Sequence, residues 1–335
     1  MKKAIYISND SAARIRSVYS PETREAISGL ADIGEGVYSS ADLGDPALSA
    51  AEIALSTWGM PKLSEEEIGA YLPNLKILFY AAGSVQEFAR TFLRRGVRIV
   101  SAWAANAVPV AEYAFSQIIL ANKGFFQSAG LFKEQGYRQS AEFSGTFPGT
   151  FGCTIGIIGA GMVGRKVIEM LNACGVRARI LVFDPFLPED AARSLGVEKC
   201  SLDILFAESQ TISNHLANND QTRGILHYDL FKLMKPNAAF INTGRGAQVV
   251  EADLARALRE CPSRTALLDV TYPEPPEAGH PFYELPNVFL TPHIAGSMGG
   301  ETYRMGEYIL DELRRYVNSE PLRYEVTMGM LETMA

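Results

Sequence analysis

Apolar positions along this chain come in short runs separated by stretches of helical spacing. In the first hundred residues the runs Ala4–Ser8, Glu52–Thr57, Lys76–Tyr80 and Val97–Ser101 read as buried strands. Between them Pro21–Leu30, Ser64–Tyr71 and Val85–Arg94 carry a helical pattern. Ser64-Glu-Glu-Glu67 has the form of a capping box, and Pro73 follows where a helix cannot continue. Strands alternating with helices predict a parallel sheet covered on both faces. A long apolar helix pattern then runs from Ala105 to Lys123, and Gly124 ends it. The rhythm breaks from Phe125 to Gly152, a segment rich in glycine, serine and phenylalanine and only weakly periodic. Its phenylalanines, among them Phe125, Phe132, Phe143 and Phe151, exceed what a solvated loop needs, so an arm or lid is favoured over an ordinary connection.

The alternation resumes with Thr154–Ile158 and Ile180–Asp184, then Gln210–Ser213, Ala238–Ile241, Thr265–Asp269 and Asn287–Leu290. Together these predict a six-stranded, doubly wound sheet. Gly299 to Asn318 reads as a last helix whose simplest closure returns it to the first domain. The expected fold class is therefore α/β, with two doubly wound parallel-sheet (Rossmann/flavodoxin-like) domains. One comprises 1–104 and 295–335, split in sequence, and the other 105–294 with an arm around 124–152.

Length and composition narrow the picture. A chain of 335 residues exceeds the usual size of a single core. With 47% apolar and 21% charged residues it has the balance of a soluble globular protein. A formal charge of −7 argues against a general nucleic-acid surface and fits a protein handling small molecules. The cysteines Cys153, Cys174, Cys200 and Cys261 form no metal-ligand spacing, so no metal is expected and reduced thiols in the cytoplasm are. No apolar run is long enough to span a bilayer, so no membrane partner is expected.

Chemistry enters at Gly159-x-Gly161-x-x-Gly164. The motif follows one apolar run, opens a helical pattern and is followed by a second run ending in Asp184. That is the context a dinucleotide-binding turn requires. Gly159 permits the tight turn, Gly161 lets backbone approach a pyrophosphate, and Gly164 lets helix pack on strand. Asp184 can accept hydrogen bonds from a ribose diol and repels a 2′-phosphate, which favours NAD over NADP. Ligands of such sheets bind outside the carboxyl ends of the strands, and three charged or titratable residues follow strand ends. Arg245 lies in Ile241-Asn-Thr-Gly-Arg-Gly246, Glu274 in Asp269-Val-Thr-Tyr-Pro-Glu-Pro275, and His293 in Leu290-Thr-Pro-His-Ile-Ala-Gly296. Arg245 can grip a carboxylate and a keto oxygen with paired N–H groups. His293 can pass a proton to and from a carbonyl oxygen, and Glu274 can hold its imidazole in one tautomer.

The fingerprint, Thr243-Gly-Arg-Gly246, the Glu274 loop and Thr291-Pro-His-Ile-Ala295 together resemble the D-isomer-specific 2-hydroxyacid dehydrogenase family over essentially the whole chain. Asn106-Ala-Val-Pro-Val-Ala-Glu112 is similar to the start of that family's long interdomain helix. The resemblance implies Arg245, Glu274 and His293 as the catalytic set. It implies Met162, Val163, Asp184, His215, Thr243, Asp269 and Gly296 as cofactor positions, beside the glycines and with Arg245 and His293 adjoining the cofactor. Asp269 would face the nicotinamide carboxamide. Ala81-Ala-Gly-Ser-Val85 matches the backbone loop that takes the substrate carboxylate, with Ala82, Gly83 and Ser84 as its core. A homodimer with 125–152 as its arm is implied too. The chain departs from the family pattern at Met162-Val163, often Arg-Ile; at Gln86-Glu87, usually Asp-Asn; and at Ala217, commonly proline.

The reading is an NAD-dependent oxidoreductase that interconverts a D-2-hydroxy acid and its 2-keto acid. The basic residues expected for a phosphorylated substrate are absent, and Trp58 either walls the pocket or belongs to the core. Two alternatives remain: a formate- or phosphite-type dehydrogenase of the same fold, disfavoured by Glu274 where glutamine is expected, and a non-catalytic NAD-sensing corepressor or scaffold.

Overall fold

The computed structural model describes residues 1–332 and 334; Thr333 and Ala335, the end of the first expected domain, lie outside the described residues. The chain divides into two compact units, Met1–Ala107 with Ser297–Ala335 and Val108–Gly296.

The first unit carries β1 (Lys3–Ile7), β2 (Asp32–Tyr38), β3 (Ile53–Ser56), β4 (Ile77–Tyr80) and β5 (Arg98–Ser101). The second carries β6 (Thr154–Ile158), β7 (Arg179–Phe183), β8 (Glu198–Lys199), β9 (Thr211–Asn214), β10 (Ala239–Asn242), β11 (Thr265–Leu268) and β12 (Val288–Leu290). The chain returns to the first sheet with β13 (Glu325–Val326), which pairs antiparallel to β5. The sheet orders are β13-β5-β4-β3-β1-β2 and β12-β11-β10-β9-β6-β7-β8. Apart from β13, every pairing is parallel.

The central strands β3, β4, β9, β10 and β11 are buried at every position, as strands covered on both faces must be. The edge strands explain what the apolar pattern missed. β2 carries Gly34, Glu35 and Gly36 and is partly exposed along its length. β8 is only two residues long and makes the second sheet seven-stranded rather than six-stranded. Neither needs an apolar run, because neither is covered on both faces.

The expected capping box is present: Ser64 Oγ accepts the Glu67 N–H at 3.2 Å, and Glu67 Oε2 accepts the Ser64 N–H at 2.8 Å. The long helix runs Trp103–Asn122 and stops at Gly124, which adopts φ +66°. The last helix, Thr302–Val317, packs on the helices Ala12–Val18 and Pro21–Ser28 of the first unit. At Gly306 the approach to the Val18 carbonyl leaves no room for a side chain.

The segment 125–152 is more regular than its sequence suggests. It forms helices Phe125–Gln135 and Tyr137–Ser144, packed on one another about Gly136. Their seam is made by hydroxyls: Ser140 Oγ donates to the Ser128 carbonyl at 2.8 Å, and Ser144 Oγ to Ser128 Oγ at 2.8 Å. A serine seam leaves no apolar stripe to read, while Phe125, Phe132 and Tyr137 remain half or more exposed. Among the described residues no helix is long and apolar enough to cross a membrane, and no cluster of His, Cys, Asp or Glu is placed to hold a metal ion.

Candidate active site

In the second unit the glycine turn is built by steric necessity. Gly159 leaves β6 with φ +90°, and a Cβ there would stand 2.8 Å from the His215 carbonyl oxygen. Gly164 lies against the Gly159 carbonyl too closely for any side chain. Gly161 is different: it caps the helix Met162–Ala173, and no heavy atom stands within 4 Å of where its Cβ would be. Backbone N–H groups at that helix start, with the positive end of the dipole, favour an anion. Met162 is the first helical residue and 38% exposed, while Val163 packs against the core.

Asp184, at the end of β7, builds the turn as well as facing it. Its Oδ2 accepts the Ala160 N–H at 2.7 Å and its Oδ1 the Phe186 N–H at 2.8 Å. Each carboxylate oxygen keeps a further lone pair, so a diol can still be accepted. His215 follows β9, with Nε2 2.9 Å from Ser213 Oγ and Nδ1 3.4 Å from Thr243 Oγ1. Burial pushes its pKa down to about 4, so the ring is neutral at physiological pH.

Arg245 follows β10 and is largely buried. One guanidinium nitrogen, Nη1, donates to the Gly244 carbonyl at 2.8 Å; the remaining N–H groups take no protein acceptor among the described residues. Burial pulls its pKa down and the nearby Glu274 carboxylate opposes that shift. Gly246, next in sequence, meets the Thr271 backbone so closely that no Cβ fits. The arginine turn and the Glu274 loop therefore touch backbone to backbone. The Glu274 loop is also tied from outside: Glu251 Oε1 accepts the Tyr272 N–H at 2.9 Å, and Glu251 Oε2 lies 3.0 Å from His280 Nε2.

His293 follows β12, with its Nδ1 2.7 Å from Glu274 Oε1. A carboxylate only accepts, so Nδ1 carries the proton and Nε2 is left to face a substrate. His293 has φ +55°, an unfavourable backbone conformation for a residue with a Cβ. Asp269 holds it there. The Asp269 carboxylate accepts from Thr291 Oγ1 at 2.6 Å, the Ile294 N–H at 2.8 Å and the Ala295 N–H at 2.9 Å, and its carbonyl accepts the His293 N–H at 3.0 Å. Asp269 thus shapes the turn that presents His293. Gly296 closes the unit directly after that turn. Because β6, β7, β9, β10, β11 and β12 are parallel, the glycine turn, Asp184, His215, Arg245, Glu274 and His293 all leave the same edge of the sheet.

The loop Ala81–Val85 belongs to the first unit and is organised differently. Thr57 Oγ1 donates to the Ala81 carbonyl at 2.8 Å, and Ser101 Oγ to the carbonyls of Ala82 and Gly83 at 2.9 and 2.6 Å. With those carbonyls turned inward, the N–H groups of Gly83 and Ser84 have no acceptor among the described residues. Of the two departures that follow, Gln86 is occupied by the chain itself: its Nε2 donates to the carbonyls of Leu331 and Met334 at 2.9 and 2.8 Å. Glu87 pairs with Lys62 at 2.8 Å on the surface. Trp58 is partly buried against the core, with the Arg14 guanidinium 5.8 Å from its ring centroid and Arg14 in turn bonded to Asp10 at 2.9 Å.

Residues 115–295 match the family model described as D-isomer specific 2-hydroxyacid dehydrogenase, NAD binding domain. The D-3-phosphoglycerate dehydrogenase of Mycobacterium bovis is 32% identical over 268 residues, covering 79% of this chain and 49% of that protein. The chain belongs to the D-isomer-specific 2-hydroxyacid dehydrogenase family. NAD is the cofactor of its matched domain. The chain spans about half the length of the curated relatives it matches. Among solved structures, a phosphoglycerate oxidoreductase from Rhizobium etli superposes with a TM-score of 0.79 at 25% identity, covering 99% of this chain and 100% of that one. The apo D-mandelate dehydrogenase of Rhodotorula graminis shares the fold at a TM-score of 0.81 and 16% identity, with 98% of each chain covered.

Two features of this dehydrogenase-family site escaped the sequence reading. One is Glu251, an acid at a helix start that reads as an ordinary dipole partner. The other is a set of buried amides, Asn214, Asn242 and Gln248. The available signal was positional: Asn214 and Asn242 end adjacent strands in register, where apolar residues would otherwise be expected.

Proposed function

We propose that the protein is an NAD-dependent oxidoreductase that interconverts a D-2-hydroxy acid and its 2-keto acid. The observation that carries this reading is the 2.7 Å contact of His293 Nδ1 with Glu274, at the sheet edge that also bears the glycine turn and Arg245. NAD, when bound, supplies or takes the hydride. His293 Nε2 gives a proton to the keto oxygen in reduction and takes it back in oxidation. Glu274 fixes the tautomer and balances the imidazolium charge. Arg245, with free guanidinium donors, grips the substrate carboxylate and carbonyl oxygen. The pinned loop Ala82–Ser84 offers backbone N–H groups of the kind that take a carboxylate, which makes the first unit the substrate domain and the second the nucleotide domain.

The curated relatives are named for phosphoglycerate. In this chain the one arginine against Trp58 is bonded to Asp10, which supports an unphosphorylated acid. The exposed aromatics of 125–151 support a homodimer built by that arm, and the reduced cysteines support a cytoplasmic protein. A panel of 2-keto acids, varied in length and charge and including 3-phosphohydroxypyruvate, tests the reading by loss of NADH absorbance. Turnover of at least one unphosphorylated acid is expected. Binding of NADH with no turnover of any acid would favour the sensing role instead.

A further inference from the structure

Arg245 is held by something other than its own charge partners. Both backbone polar groups of Arg245 are bonded to amide side chains: its N–H donates to Gln248 Oε1 at 3.2 Å, and its carbonyl accepts from Asn242 Nδ2 at 3.3 Å. The preceding Gly244 N–H donates to Asn242 Oδ1 at 3.0 Å. Asn214 Nδ2 closes the set, donating to Asn242 Oδ1 at 3.0 Å and to Gln248 Oε1 at 2.7 Å. Asn214 and Gln248 are 0% exposed and Asn242 1%, so the amide end of each of these bonds is shielded from solvent.

Gln248 also reaches in the other direction. Its Nε2 donates to the carbonyls of Leu216 and Ala217 at 2.9 Å each. Those residues directly follow His215, whose ring contacts Thr243. The Gln248 amide therefore makes all the bonds a glutamine can make, two accepted and two donated. Its orientation is fixed by them, because a flipped amide would turn its oxygen toward two carbonyls.

We infer that Gln248 is a positioning residue that links Arg245 to the loop His215–Ala217, so that the substrate arginine and the cofactor-side loop are held as one body. This rests on the role proposed for Arg245 and deepens it. One buried side chain bonds the arginine's backbone on one side and two successive carbonyls of the loop on the other. Neither loop can shift without breaking bonds to a fully buried amide.

Substitutions at Gln248 test the link through a division of effects. Gln248→Met keeps the length and loses every bond. The KM for a keto acid should rise about tenfold or more, with a smaller fall in kcat. Gln248→Glu keeps an acceptor toward Arg245 but sets a carboxylate oxygen against the two carbonyls. It should weaken NADH binding more than it raises KM, and it carries the test if the methionine variant does not fold. Thr211→Val serves as the control: Thr211 is buried and bonded to Asn122, at the far end of β9 from the loop His215–Ala217. It should lower the melting temperature and leave KM unchanged. A wild-type KM and NADH affinity in both Gln248 variants overturns the inference, as does an equal rise of KM in Thr211→Val. Arg245→Ala run beside them separates the failures: a normal KM there removes the arginine's role itself.

Discussion

The two sheets present two kinds of binding edge. At the edge of the seven-stranded sheet the groups assigned to chemistry in the proposed function are side chains, Arg245, Glu274 and His293. At the edge of the six-stranded sheet the groups so assigned are the backbone N–H groups of Gly83 and Ser84, left without an acceptor among the described residues while Thr57 and Ser101 hold the neighbouring carbonyls. The first edge must hold charged groups in costly places, and its support is correspondingly dense. Asp269 holds His293 at φ +55°, Glu251 ties the Glu274 loop, and buried amides hold Arg245. The second edge needs two hydroxyls. Side-chain chemistry therefore demands a large buried polar scaffold, and backbone chemistry demands only that the carbonyls face away.

The sharpest way to break this contrast is to remove the proposed proton carrier. His293→Ala should cut turnover in both directions by on the order of a hundredfold to ten-thousandfold. Rates near wild type would move the chemistry elsewhere. Arg245→Ala should lower kcat/KM by about a hundredfold or more while leaving NADH affinity nearly intact, since the charged hydrogen bonds lost are those to the substrate carboxylate and carbonyl. Equal loss of NADH binding would make Arg245 a scaffold residue. On the other edge, Thr57→Val with Ser101→Ala frees three carbonyls and should raise KM for the keto acid several-fold, at unchanged NADH affinity. No change in KM would mean the loop does not take the substrate.

The smallest effect is on stability. His215 has a folded pKa of about 4, below the value of about 6.5 for an unfolded histidine. Between those values the unfolded chain binds more protons. Stability is therefore full above that window and is lost as pH falls through it, by on the order of 3 kcal/mol. His215→Gln should flatten the fall in melting temperature between pH 6.5 and 4. An unchanged slope would place the titration in another group.

The same contrast explains what could be read from sequence. Strands covered on both faces announce themselves as apolar runs, and charged residues just beyond their ends announce an edge of a doubly wound sheet. Arg245, Glu274 and His293 were found that way, and the structure brings them to one edge. The buried, loop-holding roles of Asn214 and Asn242 were not found, because an asparagine ending a strand looks like the start of a turn. Gln248 lies in a short 3-10 turn, where nothing in the spacing signals burial. The edge strands β2 and β8 and the arm helices were missed because their packing needs little or no apolar stripe. The second role of Asp184, holding the Ala160 N–H, is a matter of geometry that no spacing encodes.

Hydride transfer is the central claim, and labelled cofactor tests it most directly. NADH carrying deuterium at the transferring C4 position is incubated with the keto acids of the panel, and the products are examined at C2. The account predicts a D-2-hydroxy acid bearing deuterium at C2, formed by the wild-type protein and nearly absent with His293→Ala. NADH that binds but delivers deuterium to no acid, or a product of the L configuration, would contradict it.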